Sequence, residues 1–280
     1  MILVTGATGN VGRNVVRELL ADGQQVRALT RRPESAGLPE GVEVVRGDLA
    51  EPGSLPAALD GVQAVFLFPA PGTAPGLLAA AEQAGVKRVV VLSSGSVQDG
   101  VAEQQHVIAA LHAEVEQAVR ASGPEWTLVR PHAFAVNVLP WGAQLKGGGD
   151  VVRGAYAEAT TSPIHEADIA AVAAVALVGD GHAGAVYELT GPASLTHAEQ
   201  AVVVGEVLGR PVRYEEIPAE AVREAMLGQH VPAPIVDTLI GIWADSVGVP
   251  APVTGTVEKV TGRPARTFAE WVGDHRADFV

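Results

Sequence analysis

The sequence predicts an α/β fold: a doubly wound parallel sheet carrying a smaller C-terminal α/β region. Three observations predict it. Short Val- and Leu-rich runs alternate with helical runs through residues 1–130. These runs lack polar–apolar alternation, as strands buried on both faces do. A glycine-rich turn also joins the first strand to the first helix, and strands separated by helical crossovers pair in parallel.

Each element has its own signal. "ILVT" (2–5) is the first strand. The helix over 11–21 gathers Val11, Val15, Val16, Leu19 and Leu20 on one side, and stops at Asp22-Gly23. "QVRALT" (25–30), "VEVVRG" (42–47), "AVFLF" (64–68), "RVVVLSS" (88–94) and "WTLVR" (126–130) are the next five strands. Beyond Arg130 Pro and Gly become denser, and "KGGGD" (146–150) reads as a flexible connection. A helix over 166–178, a strand "AVYELT" (185–190), a helix over 196–208, the run "VRYEEI" (212–217) and further short helices follow. They are expected to form a smaller body over the carboxyl edge of the sheet.

Composition bounds the function. The 280 residues are 48% hydrophobic, enough for one large domain or one with a small appendage. A net charge of −13 repels phosphate backbones and argues against nucleic acid as a partner. The absence of cysteine excludes disulfides, thiol nucleophiles and cysteine metal sites. The start has no signal-peptide pattern. The apolar run "IAAVAAVALV" (169–178) is about half of what a membrane span needs. A soluble cytoplasmic protein without a membrane partner is the expectation. Lysine occurs only at Lys87, Lys146 and Lys259, so an essential lysine has three possible positions.

"VTGATGNVG" (4–12) sets Gly6, Gly9 and Gly12 between a strand and a helix. One glycine makes the tight turn and another lets the backbone approach a pyrophosphate. The helix N-terminus, with Thr8, Asn10 and Val11 around it, presents N–H donors and a positive dipole end. The Gly-x-x-Gly-x-x-Gly spacing resembles the extended and atypical branches of the short-chain dehydrogenase/reductase superfamily, which implies a Rossmann fold. An acid about 20 residues after the loop would hold a ribose 2′-hydroxyl. "TRRP" (30–33) stands there instead. Arg31 and Arg32 suit a 2′-phosphate, so the cofactor is read as NADP(H).

The resemblance implies further contacts. It places Asp48 and Leu49 of "GDL" against the adenine, although Asp48 also reads as a helix N-cap. Phe68 and Pro69 would pass the central ribose. Ser93 and Ser94 would lie near the nicotinamide. The division that follows is an NAD(P)-binding Rossmann domain over 1–130 and a substrate-binding region over 131–280, partly interleaved with the sheet.

Active members of that superfamily use a Tyr to move the proton that accompanies hydride, and a Lys four residues on. Tyr156, Tyr187 and Tyr214 are followed at that spacing by Thr160, Gly191 and Pro218, so no such pair exists. "EQAVRASG" (116–123) resembles the end of the catalytic helix, and counting back puts the Tyr position at Ile108 and the Lys position at His112. A helical wheel buries Ile108, Leu111, Val115 and Val119, with His112 on the shoulder and Glu116 one turn on. His112 is thus the candidate catalytic and cofactor-contacting residue, its ring held by Glu116. The competing reading is a half-buried histidine with a carboxylate partner four residues away.

"SPIHEADIAAVAAVAL" (162–177), "YELTGPASLTHAEQAVVVGEVLGRPVRYEEIP" (187–218) and "VTGRPARTFAEWVGDH" (260–275) look like NmrA-type atypical short-chain reductases. That family includes NAD(P)H-dependent quinone reductases, tailoring enzymes of aromatic natural products and non-catalytic redox sensors. In it, "RPHAFAVN" (130–137) passes the nicotinamide at Pro131 and opens the substrate pocket, so His132, Phe134 and Asn137 are candidate walls. Trp141 and Trp243 suit stacking on a planar substrate, or ordinary packing. "HEAD" (165–168) reads as an acidic first helical turn. No His-Glu-x-x-His or Gly-x-Ser-x-Gly occurs, so neither a metal site nor a hydrolase is expected. The expected activity is NADPH-dependent hydride transfer to a quinone or planar aromatic carbonyl. A quinone needs little acid assistance. A non-catalytic NADP(H) sensor acting through a protein partner, an aromatic polyketide tailoring enzyme, and a homodimer remain open.

Overall fold

A computed structural model describes residues 1–280. β1 (Ile2–Val4) leads through the glycine turn into α1 (Asn10–Ala21), then β2 (Val26–Thr30) and β3 (Glu43–Arg46). α2 (Leu55–Leu59), β4 (Ala64–Leu67), α3 (Ala74–Gln83), β5 (Arg88–Leu92), α4 (Val107–Arg120) and β6 (Glu125–Pro131) follow. Next come α5 (Gly142–Leu145), β7 (Val151–Gly154), β8 (Thr160–Thr161), α6 (Glu166–Val178), β9 (Ala185–Leu189), β10 (Leu195–Thr196), α7 (His197–Leu208) and β11 (Arg213–Glu216). The chain ends with α8 (Ala219–Gly228), α9 (Ala233–Asp245), α10 (Thr256–Thr261), α11 (Phe268–Asp274) and α12 (Arg276–Phe279).

Seven strands form one sheet in the order β3-β2-β1-β4-β5-β6-β9, and every pairing is parallel. The order reverses between β1 and β4, which opens a crevice at their carboxyl ends. Adjacent residues serve opposite cores. Val4, Val90, Leu92 and Val129 pack against α1 and α6. Leu3, Val89, Val91 and Leu128 pack against α2, α3 and α4. Both faces are covered, which is why the strand sequences show no alternation. Each such side chain contributes about 1.5–3 kcal/mol of burial.

α6 is the apolar run noted in the sequence. Ile169, Ala170, Val172, Ala173, Ala176 and Leu177 are all buried, and its small side chains let it lie close to α1. No helix is long and apolar enough to cross a membrane.

Two expectations about the second half need correction. β9 and α6 do not sit over the sheet edge. β9 pairs with β6 as the seventh strand, and α6 belongs to the central core. The smaller body is what remains: β7 with β11, β8 with β10, α7, α11 and α12, around Leu145, Val152, Val204, Phe268, Trp271 and Phe279. β7 itself was not anticipated. It follows the glycine-rich connection directly and pairs Val151 with Arg213.

The acidic turn at 165–168 also does more than favour a helix dipole. His165 caps α6, its Nδ1 accepting the Ala167 N–H at 3.1 Å. Glu166 and Asp168 are buried. Glu166 accepts from Trp271 Nε1 at 2.9 Å and contacts His275 Nε2 at 2.7 Å. Asp168 accepts the Arg266 N–H at 2.7 Å. The turn fastens the C-terminal helices to α6.

Candidate active site

The glycine turn is built by close contacts. Gly6 has φ +61°, and a Cβ there would lie 2.8 Å from the Phe68 side chain. A Cβ on Gly12 would lie 2.2 Å from the Gly6 carbonyl oxygen. Gly9 caps α1 without a side chain, and its N–H donates to Gly6 O at 2.9 Å. The Thr5 hydroxyl donates to Phe66 O (3.0 Å) and accepts from Phe68 N (2.7 Å), which ties the turn to the end of β4. Thr8, Gly9 and Asn10 are exposed, and Val11 and Gly12 are buried beneath them. The amides of Asn10, Val11 and Gly12 have no protein acceptor. This is a cradle a side chain would fill, with free donors at a positive helix end, and it fits a pyrophosphate. Arg13, overlooked in the sequence, donates to Thr8 O (2.6 Å) and Gly9 O (3.4 Å). Its only signal was a basic residue directly after the third glycine.

Around this turn the expected contacts are spread along the carboxyl edge. Arg31 and Arg32 follow β2, exposed and unpaired by any carboxylate. Asp48 neither caps a helix nor is wholly free. One carboxylate oxygen accepts the Ala50 N–H at 3.0 Å and closes the turn after β3. Leu49 is partly buried against the core formed with α2, α3 and α4. Phe68 is 45% exposed, whereas Pro69 is buried.

At α4 the structure replaces the expected pair. The buried residues are Ala109, Val115, Glu116 and Val119, and Ile108 and Leu111 are only half-buried. Glu116 does not hold His112. Its Oε1 accepts from Arg130 Nε (2.8 Å) and its Oε2 from Arg130 Nη2 (2.6 Å). Glu116 also accepts from the Ser93 hydroxyl and from Arg120 (3.3 Å). A buried guanidinium offering a two-point, charge-assisted contact outcompetes a neutral ring. Arg130 further donates to Asp99 at 2.9 Å through both Nη atoms and reaches Glu188 at 3.5 Å. Ser93 is thereby committed to this network, and Ser94 pairs with Ser96 at 2.8 Å.

His112 is left with a buried Nδ1 that has no partner. Burial pushes its pKa below the ordinary histidine value, against the raising pull of Glu116. The ring is neutral near pH 7.

Pro131 ends β6, buried. His132 follows it, its Nε2 2.9 Å from Glu188. A Cβ on Gly95 would lie 2.6 Å from this ring, so the glycine after β5 makes room for it. Phe134 bridges to Ile164 and packs partly on the central core. Asn137 is exposed in the 3-10 turn over Ala135–Trp141. Trp141 and Trp243 end one aromatic row. Trp141 packs on Tyr214 at 5.8 Å, Tyr214 on His197 at 5.9 Å, and His197 edge-on to Trp243 at 5.5 Å. Burial raises the Tyr214 pKa and lowers that of His197. A cavity of about 960 Å³ lies elsewhere, between residues 97–104 and the outer side of α4. None of the expected substrate residues lines it. No cluster of His, Asp and Glu side chains is arranged to hold a metal ion.

An open parallel sheet whose first turn presents free helix amides at the switch point is the architecture of a dinucleotide-binding α/β protein. A family model described as NAD(P)H-binding matches residues 6–179, and the chain belongs to that family. It is 43% identical over its whole length to a (4-alkanoyl-5-oxo-2,5-dihydrofuran-3-yl)methyl phosphate reductase of Streptomyces griseus, covering 99% of that protein. It is 39% identical to an NAD(P)H azoreductase of Xenophilus azovorans, over 100% of this chain and 99% of the other. An NADPH-dependent quinone oxidoreductase of Escherichia coli, solved with NADPH, superposes with a TM-score of 0.81 at 28% identity, over 99% and 100% of the two chains. The protein is an oxidoreductase of the atypical short-chain type, and NADP(H) is its cofactor.

Proposed function

We propose that the protein passes hydride from NADPH to a quinone or another planar, electron-poor conjugated acceptor. One observation carries this reading. Where the superfamily keeps its proton-moving pair, this chain has Ile108 and a neutral, half-buried His112 whose Nδ1 lacks a partner. Leaving that shielded nitrogen unsatisfied costs about 1–3 kcal/mol, and a neutral imidazole has no ready proton to give an acceptor oxygen. That suits an acceptor whose reduced form is a stabilised anion. The names of the relatives also point to an electron-poor acceptor, since dihydrofuranone, azo and quinone groups are all electron-poor and unsaturated.

In this reading Gly6, Thr8, Gly9, Asn10, Val11 and Gly12 hold the pyrophosphate, and Arg31 and Arg32 hold the 2′-phosphate. Asp48 and Leu49 border the adenine, Phe68 and Pro69 the ribose, and Ser94 and Pro131 the nicotinamide. Ser93 acts only through Glu116. His132, Phe134 and Asn137 wall the acceptor, with Trp141 and Trp243 behind them. Residues 1–130 thus bind chiefly cofactor and 131–280 acceptor. Bound NADPH supplies the hydride. The side chains bind, orient and exclude water.

The test mixes purified protein, NADPH and a panel of quinones, and follows the loss of nicotinamide absorbance. Tight NADPH binding with no oxidation by any acceptor refutes the reading.

A further inference from the structure

The relatives named for azo and dihydrofuranone reduction raise a chemical requirement that His112 does not meet. Hydride added to such a double bond leaves an anion on the neighbouring atom, and that anion must be protonated. His132 and Glu188 have the geometry for this. His132 lies directly after Pro131, at the carboxyl end of β6, against Gly95 beyond β5. This is the edge of the sheet where ligands bind. Its Nε2 is 2.9 Å from Glu188 Oε2, and Arg130 Nη1 is 3.5 Å from Glu188 Oε1. Glu188 therefore orients the ring and is itself oriented by a buried guanidinium. The ring is 27% exposed, and its Nδ1 has no protein partner and is not occluded.

We infer that His132 is a catalytic acid, oriented by Glu188, and that the acceptors of this site include double bonds whose reduction requires a proton. The inference rests on the reductase reading above. The acceptor gains a hydride, one hydrogen with two electrons, from NADPH, which leaves as NADP+. The electron pair of the acceptor's π bond moves to the neighbouring atom. That atom takes the Nδ1 proton of protonated His132, whose N–H bond breaks as the new N–H or C–H bond forms, and a solvent hydronium ion then reprotonates the ring. One acceptor, one NADPH and one proton are consumed.

The test compares His132→Gln and Glu188→Gln with the unsubstituted protein on two acceptors, a high-potential quinone and an azo dye. General acids contribute about 10²–10⁴-fold. The azo rate of His132→Gln should fall at least about 100-fold further than its quinone rate, which loses only what reshaping the acceptor wall costs. Glu188→Gln should show the same selectivity with a smaller loss. Nitrogen-15 shifts of the histidine ring in the cofactor-free protein supply a second readout. They should report a hydrogen-bonded Nε2–H that Glu188→Ala, which unlike Gln leaves no acceptor oxygen, abolishes. Equal losses on both acceptors, or none on the azo dye, overturn the inference, as does a ring signal indifferent to Glu188. If the unsubstituted protein reduces neither acceptor, it is the reductase reading that has failed.

Discussion

Glu116→Gln separates a buried charge pair from its exposed neighbours. Arg130 and Glu116 have side-chain exposures of 3% and 4%, and Asp99, which also binds Arg130, is 64% exposed. Removing the Glu116 charge leaves a guanidinium desolvated, with only Asp99 and Glu188 to compensate. Breaking a buried pair costs about 3–5 kcal/mol. The remaining carboxylates put this case at the lower end, about 3 kcal/mol. In a chain of 280 residues that corresponds to a drop in Tm of about 5 °C. Asp99→Asn removes a largely solvated partner and should cost less than about 1 kcal/mol. Urea unfolding followed by circular dichroism measures both. If the two substitutions cost the same, or Glu116→Gln costs less than about 1 kcal/mol, the network does not have the buried character assigned to it.

Gly12→Ala places a methyl 2.2 Å from the Gly6 carbonyl, so the turn must open. NADPH binding measured by nicotinamide fluorescence should be lost while far-ultraviolet circular dichroism is retained. The double substitution Arg31→Ala, Arg32→Ala should weaken NADPH about 10- to 100-fold, given about 1.5–3 kcal/mol for charge-assisted contacts. NADH binding should hardly change, and equal losses contradict the 2′-phosphate assignment. Replacing His112 with Asn should remove part of the acid sensitivity of folding. Its folded pKa lies below the unfolded value of about 6.5, so the unfolded chain binds the proton first and stability falls as pH drops below that value. Urea unfolding at pH 7.5 and 5.5 should show a smaller loss in the variant, and an identical loss would clear His112 of this role.

How much of this was legible follows from range. The glycine turn, the arginines after β2 and the six strands ending at β6 are local patterns, and a single stretch of chain carries each. The seventh strand was recognised as a strand, but its place beside β6 depends on pairing 58 residues apart in sequence, as between Arg130 and Glu188. β7 stayed hidden because its partner Arg213–Glu216 is equally remote. A helical wheel ranks residues by polarity and so leaves Glu116 outside the buried stripe of α4, within which the fold places it. Glu116 is buried only because Arg130 arrives from the next strand, 14 residues later. The same long-range logic turned the acidic turn at Glu166 into the anchor of Trp271.

That network also bears on how a cleft without the Tyr/Lys pair can work. Glu116 joins the end of β5 through Ser93 and the end of β6 through Arg130. Arg130 extends the connection to Asp99 before α4 and to Glu188 on β9. The elements proposed to border the acceptor are thus linked by charged contacts whose centre is dry. Hydride transfer depends steeply on alignment, and holding reactants in register is worth several kcal/mol without any proton transfer. A loosened network should therefore cost turnover beyond what it costs folding. Glu116→Gln assayed with a quinone at a temperature where it is fully folded should bind NADPH with near-normal affinity but lower kcat by about 10-fold or more, the scale of a small misplacement. An unchanged kcat would mean that the buried charges hold the fold alone and that alignment is set elsewhere.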